Sequence, residues 1–388
     1  MTIRPPQGTR RKDARMRPYK LRDDRILLAK PTLDDVDRLT ELCQDAEIQR
    51  WTTVPVPYRR RDADWFVREL VVPGWDTGLE LTWAVRGTAD RQLLGVIGLT
   101  LDGAGSGEIG FWLGAAARGQ GIMSRAVRLV ADHALDASGL GLSRLLWQAH
   151  VGNWASRRVA WRLGFTVEGT IRSHLTQRGE RRDAWVAVLR PGDTTEPTRP
   201  WFDVPTLRGD QVLLRRWRDS DADAAVEGCT DPVTRHWLGG LPDPYTRETA
   251  LGYIASREDD HARGRGVHWA VALEERDPTV GSFSLMGVDD GHGPGSAEVG
   301  YWVLPRARGR GIATEAVRLM VAHAFAPAAE DGLGLRRLVL AHATGNEPSR
   351  AVALRNGFTP FGVERAAERL GDGTFADLHW YDLLNPRR

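Results

Sequence analysis

Two stretches of the chain place arginine and glycine directly before an amphipathic segment, a combination that suits the binding of an anion. RGQGIMSRAVRLVADHAL begins at Arg118 and RGRGIATEAVRLMVAHAF begins at Arg308, and ten of the eighteen aligned residues are identical. Because glycine lacks a Cβ atom, the backbone N–H groups of such a turn can gather around a bulky anion. A helix that follows adds unpaired N–H groups and the positive end of its dipole. Each stretch is therefore predicted to bind a phosphate group.

Two known kinds of phosphate-binding site are excluded, because the turns lack the residues that those sites require. Neither turn contains the Gly-Lys-Ser/Thr sequence of a nucleoside-triphosphate loop. Neither contains the third glycine of the dinucleotide-binding fingerprint. Two interpretations remain at this point, namely the diphosphate of coenzyme A and an ordinary glycine-rich turn without a ligand. The repetition of the turn in the same strand–turn–helix context favours coenzyme A.

The turn occurs twice because the chain contains two copies of one domain. RILLAKPTLDD at Arg25 matches QVLLRRWRDSD at Gln211, an offset of 186, and Asn153 matches Asn346, an offset of 193. The offset increases only where loops would absorb insertions. Four prolines in PGDTTEPTRPWFDVP predict a stiff surface linker between the copies. The predicted organisation is a basic arm over 1–18, a first domain over 19–190, the linker over 191–205 and a second domain over 206–388.

The order of elements within each copy predicts a mixed α/β fold. A strand leads into helices, three strands follow as an antiparallel meander, and the glycine turn then opens a helix that precedes a Leu/Val-rich strand. A further helix and closing strands complete a sheet with both parallel and antiparallel strands. On the helix after the turn, His133 and His323 are expected in the core or at its rim. The equivalent residues Arg125 and Glu315 are expected to face solvent.

Composition limits the class of protein. The 388 residues carry a formal net charge of +2, so a nucleic-acid partner is not indicated. The sequence has no apolar run of about 18 residues, and its basic N-terminal arm lacks the apolar core of a signal peptide. A cytoplasmic protein without a membrane partner is therefore expected. Cys43 and Cys229 are too few for a disulfide framework or a thiolate metal site, and we expect them at buried helix positions.

Each copy resembles the GNAT superfamily of N-acyltransferases, and most of all its Rim-type group, which acetylates protein N-termini. The family pattern Arg/Gln-x-x-Gly-x-Gly/Ala is matched by Arg308, Gly311 and Ala313. The first copy matches the pattern from Arg118, except that Met123 takes the last position. The small side chain of Ala313 favours the second copy as the fully competent one.

An Asn-x-x-Ser motif followed by Gly-Phe also matches the family, at Asn153 and Ser156 and again at Asn346 and Ser349. The resemblance implies acetyl-CoA, or another acyl-CoA, as the co-substrate and no metal ion. It also implies that the turns bind the diphosphate and that the two asparagines hold the pantetheine arm. The residues implied to contact coenzyme A are Arg118, Gly119, Gln120, Gly121, Ile122, Met123 and Asn153 in the first copy, and Arg308, Gly309, Arg310, Gly311, Ile312, Ala313 and Asn346 in the second.

The resemblance further implies a reaction site where the strand before the turn splays from the strand after it. There Glu108 and Glu298 are candidate bases for the incoming amine, and Ser156 and Ser349 are candidate hydrogen-bond donors to the departing sulfur. A backbone N–H group on the splayed strand is the candidate donor to the developing oxyanion. The residues expected on the acceptor side are Trp51, Tyr58, Trp237 and Tyr245.

The predicted function is transfer of an acetyl group from acetyl-CoA to a primary amine, favouring the α-amino group of a peptide, a protein or a small molecule. An α-amino group, with a pKa of about 8, loses its proton far more readily than a lysine side chain at about 10.4. Two alternatives stay open. One is acylation of a natural product or antibiotic from a longer acyl donor on CoA or a carrier protein, and the other is a CoA-binding scaffold with one or both domains inactive. Because single domains of the Rim-type group often pair, the two copies are expected to form an intramolecular pseudo-dimer.

Overall fold

The structure, a computed structural model, describes residues 16–387. The chain divides into two compact units, with the boundary between Thr198 and Arg199. Most of the predicted basic arm, residues 1–15, lies outside the described residues. None of the helices in the described part of the chain combines the length and apolarity that crossing a bilayer requires.

Eight strands and six α-helices make up the first unit. The strands are β1 (Leu21–Arg22), β2 (Ile26–Ala29), β3 (Glu80–Gly87), β4 (Leu93–Leu101), β5 (Ser106–Leu113), β6 (Arg144–His150), β7 (Thr166–Gln177) and β8 (Glu180–Leu189). The helices are α1 (Val36–Leu42), α2 (Ala46–Trp51), α3 (Arg60–Trp65), α4 (Val72–Thr77), α5 (Ile122–Leu135) and α6 (Trp154–Arg162), with a π-helical turn at Phe66–Val71 and 3₁₀ turns at Leu33–Asp35 and Ala115–Ala117.

The second unit repeats this order of elements. Its strands are β9 (Leu207–Arg208), β10 (Leu213–Arg215), β11 (Gly266–Ala272), β12 (Gly281–Met286), β13 (Ser296–Val303), β14 (Arg337–Ala343), β15 (Thr359–Arg369) and β16 (Phe375–Leu384). Its helices are α7 (Ala222–Thr230), α8 (Pro232–Trp237), α9 (Arg247–Ala262), α10 (Ile312–Phe325) and α11 (Glu347–Arg355), with 3₁₀ turns at Asp219–Asp221, Pro305–Ala307 and Ala328–Glu330.

The two sheets have the same topology. The strand order is β1-β2-β3-β4-β5-β6-β8-β7 in the first unit and β9-β10-β11-β12-β13-β14-β16-β15 in the second. In each sheet one central pair is parallel, β5 with β6 and β13 with β14, while the other neighbouring strands of the described chain pair antiparallel. The predicted mixed α/β class is confirmed.

The helix after each glycine turn packs on the sheet through one apolar stripe. In α5 the buried residues Ala126, Val130 and Ala134 recur every four positions, which places them on one face of the helix. His133 and His323, near the C-terminal ends of α5 and α10, are partly buried beside aromatic rings of the core. Their predicted place at the rim of the core is confirmed, and it is the end of the helix far from the turn.

Glu315 does not face solvent, contrary to the expectation from sequence, whereas Arg125 is partly exposed and ion-paired. The Arg125 guanidinium lies 2.7 Å from Asp23 and 2.8 Å from Asp24, in the turn between β1 and β2. Glu315 is only 9% exposed, and its carboxylate accepts the backbone N–H groups of the equivalent turn between β9 and β10. Each residue therefore fastens its helix to the first hairpin of its own sheet.

Candidate active site

The predicted phosphate-binding turns have the backbone conformation that favours glycine. Gly119 and Gly121 have φ angles of 75° and 74°, and Gly309 and Gly311 have φ angles of 73° and 80°, a region that residues with a Cβ atom rarely adopt. A Cβ atom at any of the four would meet no described atom within 4 Å. Each turn thus leaves open space above its glycines, as a cradle for a bulky anion must.

The helices that follow the turns begin with unpaired N–H groups. The first hydrogen bond inside α5 runs from the Arg125 N–H to the Gly121 carbonyl at 3.1 Å, and that of α10 runs from Glu315 to Gly311 at 3.0 Å. The N–H groups of the three residues in between have no carbonyl partner within the helix. Together with the helix dipole, they supply the donors that a diphosphate needs. The backbone of both turns therefore fits the diphosphate of coenzyme A.

The arginine that starts each turn pairs with a carboxylate. The Arg118 guanidinium donates to Asp45 at 2.6 Å and 3.3 Å and to the Leu113 carbonyl at 3.0 Å. Arg308 donates to Asp231 at 2.5 Å and to the preceding strand at 3.0 Å. Burial alone would raise the pKa of Asp45, but hydrogen bonds from Arg118 and from backbone N–H groups lower it below its usual value. In both units the arginine braces the turn, which leaves anion binding to the backbone.

The other side chains of the predicted cradle differ between the two units. Gln120 donates to a carbonyl of the preceding 3₁₀ turn at 2.8 Å, while Arg310 is exposed. Met123 is only 5% exposed and packs in the core, so its size does not narrow the turn. The preference for the second copy that the small side chain of Ala313 suggested therefore has no basis in the structure. The first two residues of each helix all pack against the core: Ile122, Met123, Ile312 and Ala313.

The strands on either side of each turn separate, as the family resemblance implies. β5 and β6 pair as far as Ile109 and Trp147, although β5 continues to Leu113. In the same way, β13 and β14 pair as far as Val299 and Leu340. Beyond these residues a gap opens between the two central strands of each sheet.

Backbone N–H groups point into these gaps. The Gly114 N–H donates to the Leu94 carbonyl, on the β4 side, at 2.8 Å, and the direction of N–H groups alternates along a strand in an antiparallel pair. The Phe111 N–H therefore points away from β4 and into the gap. The same holds for Tyr301, because Leu304 donates to the β12 side at 2.9 Å. Each gap thus holds a donor for a carbonyl oxygen that becomes negatively charged.

Glu108 lies at the start of the first gap and is held by two polar side chains. The Gln148 Nε2 atom donates to the Glu108 carboxylate at 2.7 Å, and the Gln148 Oε1 atom lies 2.7 Å from the His174 Nε2 atom. Since an amide oxygen only accepts, His174 must carry its hydrogen on Nε2. The three side chains form an ordered line that ends on the carboxylate.

Glu298, the equivalent carboxylate, has different neighbours. The His292 Nε2 atom lies 3.4 Å from its Oε2 atom, and Ala341 stands in the place of Gln148. Burial raises the pKa of Glu368, and the charge of Glu298 raises it further. The second unit thus keeps the carboxylate but brings a second acidic group close to it.

The asparagine and serine of the first Asn-x-x-Ser motif lie beside the gap. Asn153 is the N-cap of α6, and its Oδ1 atom accepts the Ser156 N–H at 3.2 Å. The Asn153 Nδ2 group is the part of this amide that could donate to a pantetheine carbonyl. The Ser156 Oγ atom accepts from the Trp147 indole at 3.1 Å, so its own hydrogen can be donated elsewhere.

The second motif has the same cap but another hydroxyl partner. Asn346 caps α11 and accepts the Ser349 N–H at 3.4 Å. The Ser349 hydroxyl lies 3.0 Å from the Tyr301 hydroxyl. Burial raises the pKa of Tyr301 to about 12, so this phenol keeps its proton and either hydroxyl can donate.

A cavity of about 380 Å³ passes through the gap of the first unit. Glu108, Gly110 and Gln148 line it on one face of the sheet, and Asn153 and Ser156 line it on the other. Strand alternation explains why both faces contribute, because successive residues of β5 point to opposite sides. Trp51, predicted on the acceptor side, also lines this cavity, as do Phe66, Leu70, Thr82, Gly98 and Thr100.

The predicted acceptor residues divide into two groups. Trp51 and Trp237 are half-buried and contact the glycine that precedes the motif asparagine in their own unit. Tyr58 and Tyr245 are only 7% and 6% exposed and belong to the core beneath the helices, so the prediction of an acceptor-binding role for them is wrong. The tyrosine hydroxyls hydrogen-bond to the thiols of Cys43 and Cys229, which are both buried as expected. Cys229 lies in a helix, whereas Cys43 directly follows the end of α1.

Sequence reasoning missed the residues that hold the candidate groups in place. Gln148 is a polar residue that interrupts the apolar middle of β6, directly after Trp147, and that break in the pattern was a usable signal. His174 and Tyr301 gave no comparable signal, because they lie in exposed or aromatic strand segments far from Gln148 and Ser349 in sequence.

The two units are thus built as acyltransferase domains, each with a cradle for a diphosphate beside a gap between splayed strands. The sequence matches the model of the acetyltransferase (GNAT) domain over residues 25–166 and again over 211–359. The chain belongs to this family and carries its domain twice. It is an acyl-CoA-dependent N-acetyltransferase.

Several relatives have names of the same kind. Over 178 residues the chain is 38% identical to the putative ribosomal N-acetyltransferase YdaF of Bacillus subtilis, covering 45% of this chain and 92% of that protein. Over 136 residues it is 32% identical to the ribosomal-protein-serine acetyltransferase of Escherichia coli, covering 35% of this chain and 68% of that protein. Among solved structures, Mycobacterium smegmatis RimJ in complex with CoA-disulfide is 25% identical, covers 49% of this chain and 91% of its own, and has a TM-score of 0.42.

Proposed function

We propose that this protein transfers the acetyl group of acetyl-CoA to the α-amino group of a protein or peptide. The observation that carries the proposal is the cavity through the β5–β6 gap, lined by Glu108 on one face of the sheet and Ser156 on the other. An amine that enters on the Glu108 side would meet a thioester that lies along the Ser156 side. The relatives named for ribosomal proteins support a protein N-terminus as the acceptor.

The coenzyme would be held mainly by backbone. The N–H groups at the start of α5 face the open space above Gly119 and Gly121, where a diphosphate fits. The Asn153 amide would donate to the pantetheine arm, which would lie along β5 in the place of the missing strand pairing. Arg118 would keep the turn in shape through its bonds to Asp45.

The acetyl transfer needs three groups, and the first unit has a candidate for each. Glu108, directly or through a water molecule, takes the proton that an ammonium must lose before its nitrogen can attack. The Phe111 N–H donates to the carbonyl oxygen as negative charge develops on it. As the C–N bond forms and the C–S bond breaks, the Ser156 hydroxyl donates a hydrogen bond to the departing sulfur.

A panel of amines tests the acceptor. The chain is incubated with acetyl-CoA and one of three acceptors: peptides with free N-termini, N-blocked peptides with an internal lysine, or small primary amines. The release of CoA thiol and the gain of one acetyl group by mass are then measured. We expect transfer to free N-termini, because their pKa of about 8 leaves far more neutral amine at pH 7 than a lysine at about 10.4. Transfer to lysine or small amines alone would contradict the proposed acceptor, and CoA binding without any transfer would indicate a scaffold.

The candidate bases are tested by substitution. Glu108→Gln is expected to lower kcat/KM for the peptide by roughly 10²–10⁴, the usual contribution of a general base. Part of the loss should be regained at high pH, where the amine is already neutral. The double variant Glu108→Gln/Glu298→Gln shows whether Glu298 adds to transfer, and full activity in it would remove both carboxylates from the mechanism.

A further inference from the structure

The acceptor side of the central strand is open in the first unit and covered in the second. In the strand register, Thr100 pairs with Glu108 and Met286 pairs with Glu298, so Thr100 and Met286 are equivalent. A Cβ atom placed on Gly110 would meet no described atom within 4 Å. A Cβ atom placed on the equivalent Gly300 would lie 2.5 Å from the Met286 methyl carbon and 3.5 Å from its sulfur. Met286 therefore lies across the strand where the first unit has free space.

The residues on the floor of the first cavity also have larger counterparts in the second unit. Thr82 and Gly98 pair with each other in the first sheet, as His268 and Ser284 do in the second. His268 is 2% exposed, and its Nδ1 atom lies 2.8 Å from the Ser284 hydroxyl. Its Nε2 atom lies 3.4 Å from Asp260. An imidazole held by two partners thus occupies the place of a threonine and a glycine.

A residue in the wall of the first cavity also has a polar counterpart in the second unit. Phe66 is the sixth residue after the helix start at Arg60, and Tyr253 is the sixth after Arg247. In place of a phenyl ring that lines open space, the second unit has a phenol, which contacts the guanidinium of Arg257 one turn further along its helix. The Arg257 guanidinium carbon lies 4.6 Å from the centre of the Tyr253 ring.

This polar cluster is closed on itself. The Tyr253 hydroxyl lies 2.9 Å from the Ser282 hydroxyl, and Arg257 lies 3.4 Å from Asp260. The positive charge of Arg257 is therefore paired within the second unit. Larger side chains of the second unit thus stand where the first unit has its acceptor cavity, and Met286 lies over Gly300.

The coenzyme side of the second unit shows no such closure. Gly309 and Gly311 have positive φ and open space above them, as in the first unit. The helix that starts at Ile312 adds the same unpaired N–H groups. The strands β13 and β14 separate after Val299 as β5 and β6 do after Ile109.

We propose that acetyl transfer takes place in the first unit alone, and that the second unit is an acyl-CoA-binding site closed to the acceptor amine. The proposal rests on the proposed function and divides it between the two copies. It predicts that each chain binds two molecules of coenzyme A and uses one of them for transfer.

The test places a methionine in the first unit at the position equivalent to Met286 of the second unit. In Thr100→Met, the new side chain would lie across Gly110 as Met286 lies across Gly300. We expect kcat/KM for the peptide amine to fall at least tenfold, while calorimetry with CoA still gives two molecules per chain and so shows that both units are folded. Thr166→Met, which places the same side chain at an exposed strand position outside the cavity, is the matched control and is expected to retain the wild-type rate.

The reciprocal change tests the second unit. Met286→Thr removes the cover there and is expected to leave at least the wild-type rate of transfer. A wild-type rate in Thr100→Met, a tenfold loss in Met286→Thr, or a single CoA molecule per wild-type chain would each overturn this proposal while leaving the proposed function in place. Absence of transfer by the wild-type chain would overturn both.

Discussion

At the scale of single residues, both units have the candidate carboxylate, but different side chains contact it in each unit. The Glu108 carboxylate accepts a hydrogen bond from the Gln148 amide, and His174 holds that amide through its oxygen. Glu298 has an imidazole at 3.4 Å and a second acidic group nearby. A carboxylate that takes a proton from an amine has to be held at one place in the gap, and the line of side chains on Glu108 does this by fixed donors. We therefore assign Gln148 as a positioning residue for Glu108.

Gln148→Leu tests that assignment. Without the amide donor the carboxylate can leave the gap, so kcat for peptide acetylation is expected to fall about tenfold, equivalent to about 1.4 kcal/mol in the barrier. The KM for acetyl-CoA is expected to stay the same, because the cradle is untouched. Steady-state kinetics with each substrate varied in turn measure the two quantities. A loss confined to the KM for acetyl-CoA would show that Gln148 acts on the coenzyme instead.

At the scale of elements, the glycine turn and its helix form the part of the site that sequence predicts best. Residue types and spacing predict a glycine-rich turn followed by an amphipathic helix, and the structure has both, with positive φ at Gly121 and Gly311. The cradle is local, since its N–H groups and glycines lie within one short segment. Such local features can be predicted from sequence, because neighbouring residue types determine the backbone geometry.

Gly121→Ala tests the cradle. At a φ of 74° a Cβ atom costs ~1–2 kcal/mol, and it would also occupy the space proposed for the diphosphate. One of the two CoA molecules per chain is expected to be lost, or bound at least tenfold more weakly, in a calorimetric titration. Gly192→Ala is the matched control, because Gly192 has a φ of 89° and open space but lies outside the site. Equal effects of the two variants on CoA binding would contradict the assignment.

What sequence could not predict depends on contacts between distant segments. Glu315 was expected in solvent, yet it is buried against the backbone of Asp210, which is 105 residues away in the chain. Tyr58 was expected at the acceptor, yet it is buried against Cys43. Helical periodicity says which residues share a face, but it does not say which loop or side chain covers that face. The contents of the acceptor cavity were hidden for the same reason, since they depend on strand register across the sheet.

At the scale of the whole molecule, the copies share a topology and differ in the polarity of their interiors. The first unit has Trp75 and Thr82 where the second has His261 and His268, and both histidines are almost fully buried. The second copy therefore carries buried titratable groups in the region where the first carries an open cavity. This difference makes the stability of the molecule depend on pH.

We expect the free energy of unfolding to fall as the pH is lowered from 7 to 5. Burial lowers the pKa of His261 to about 3, whereas an unfolded histidine titrates at about 6.5. Below about pH 6.5 the unfolded chain therefore binds a proton that the folded chain does not, which favours unfolding. At pH 5 this histidine alone accounts for about 2 kcal/mol, since one pKa unit corresponds to about 1.4 kcal/mol.

Denaturant titrations at the two pH values measure this difference. His261→Gln is the control. The His261 imidazole accepts the backbone N–H of His268 at 3.0 Å; an amide oxygen can accept the same hydrogen bond, and the amide does not titrate. The variant is expected to lose most of the pH effect. An unchanged pH dependence in the variant would show that other groups cause it.

Arg125 and Glu315 mark a difference between two similar helices, α5 and α10, which share seven of their fourteen residues. If α10 docked on the first sheet, Glu315 would face the carboxylates of Asp23 and Asp24. If α5 docked on the second sheet, Arg125 would meet N–H donors that a guanidinium cannot accept. A chain with duplicated segments risks such misassembly during folding, and each wrong partnership is penalised by repulsion or by unmatched donors. The difference between Arg125 and Glu315 at this one position thus favours the packing of each helix on the sheet of its own unit.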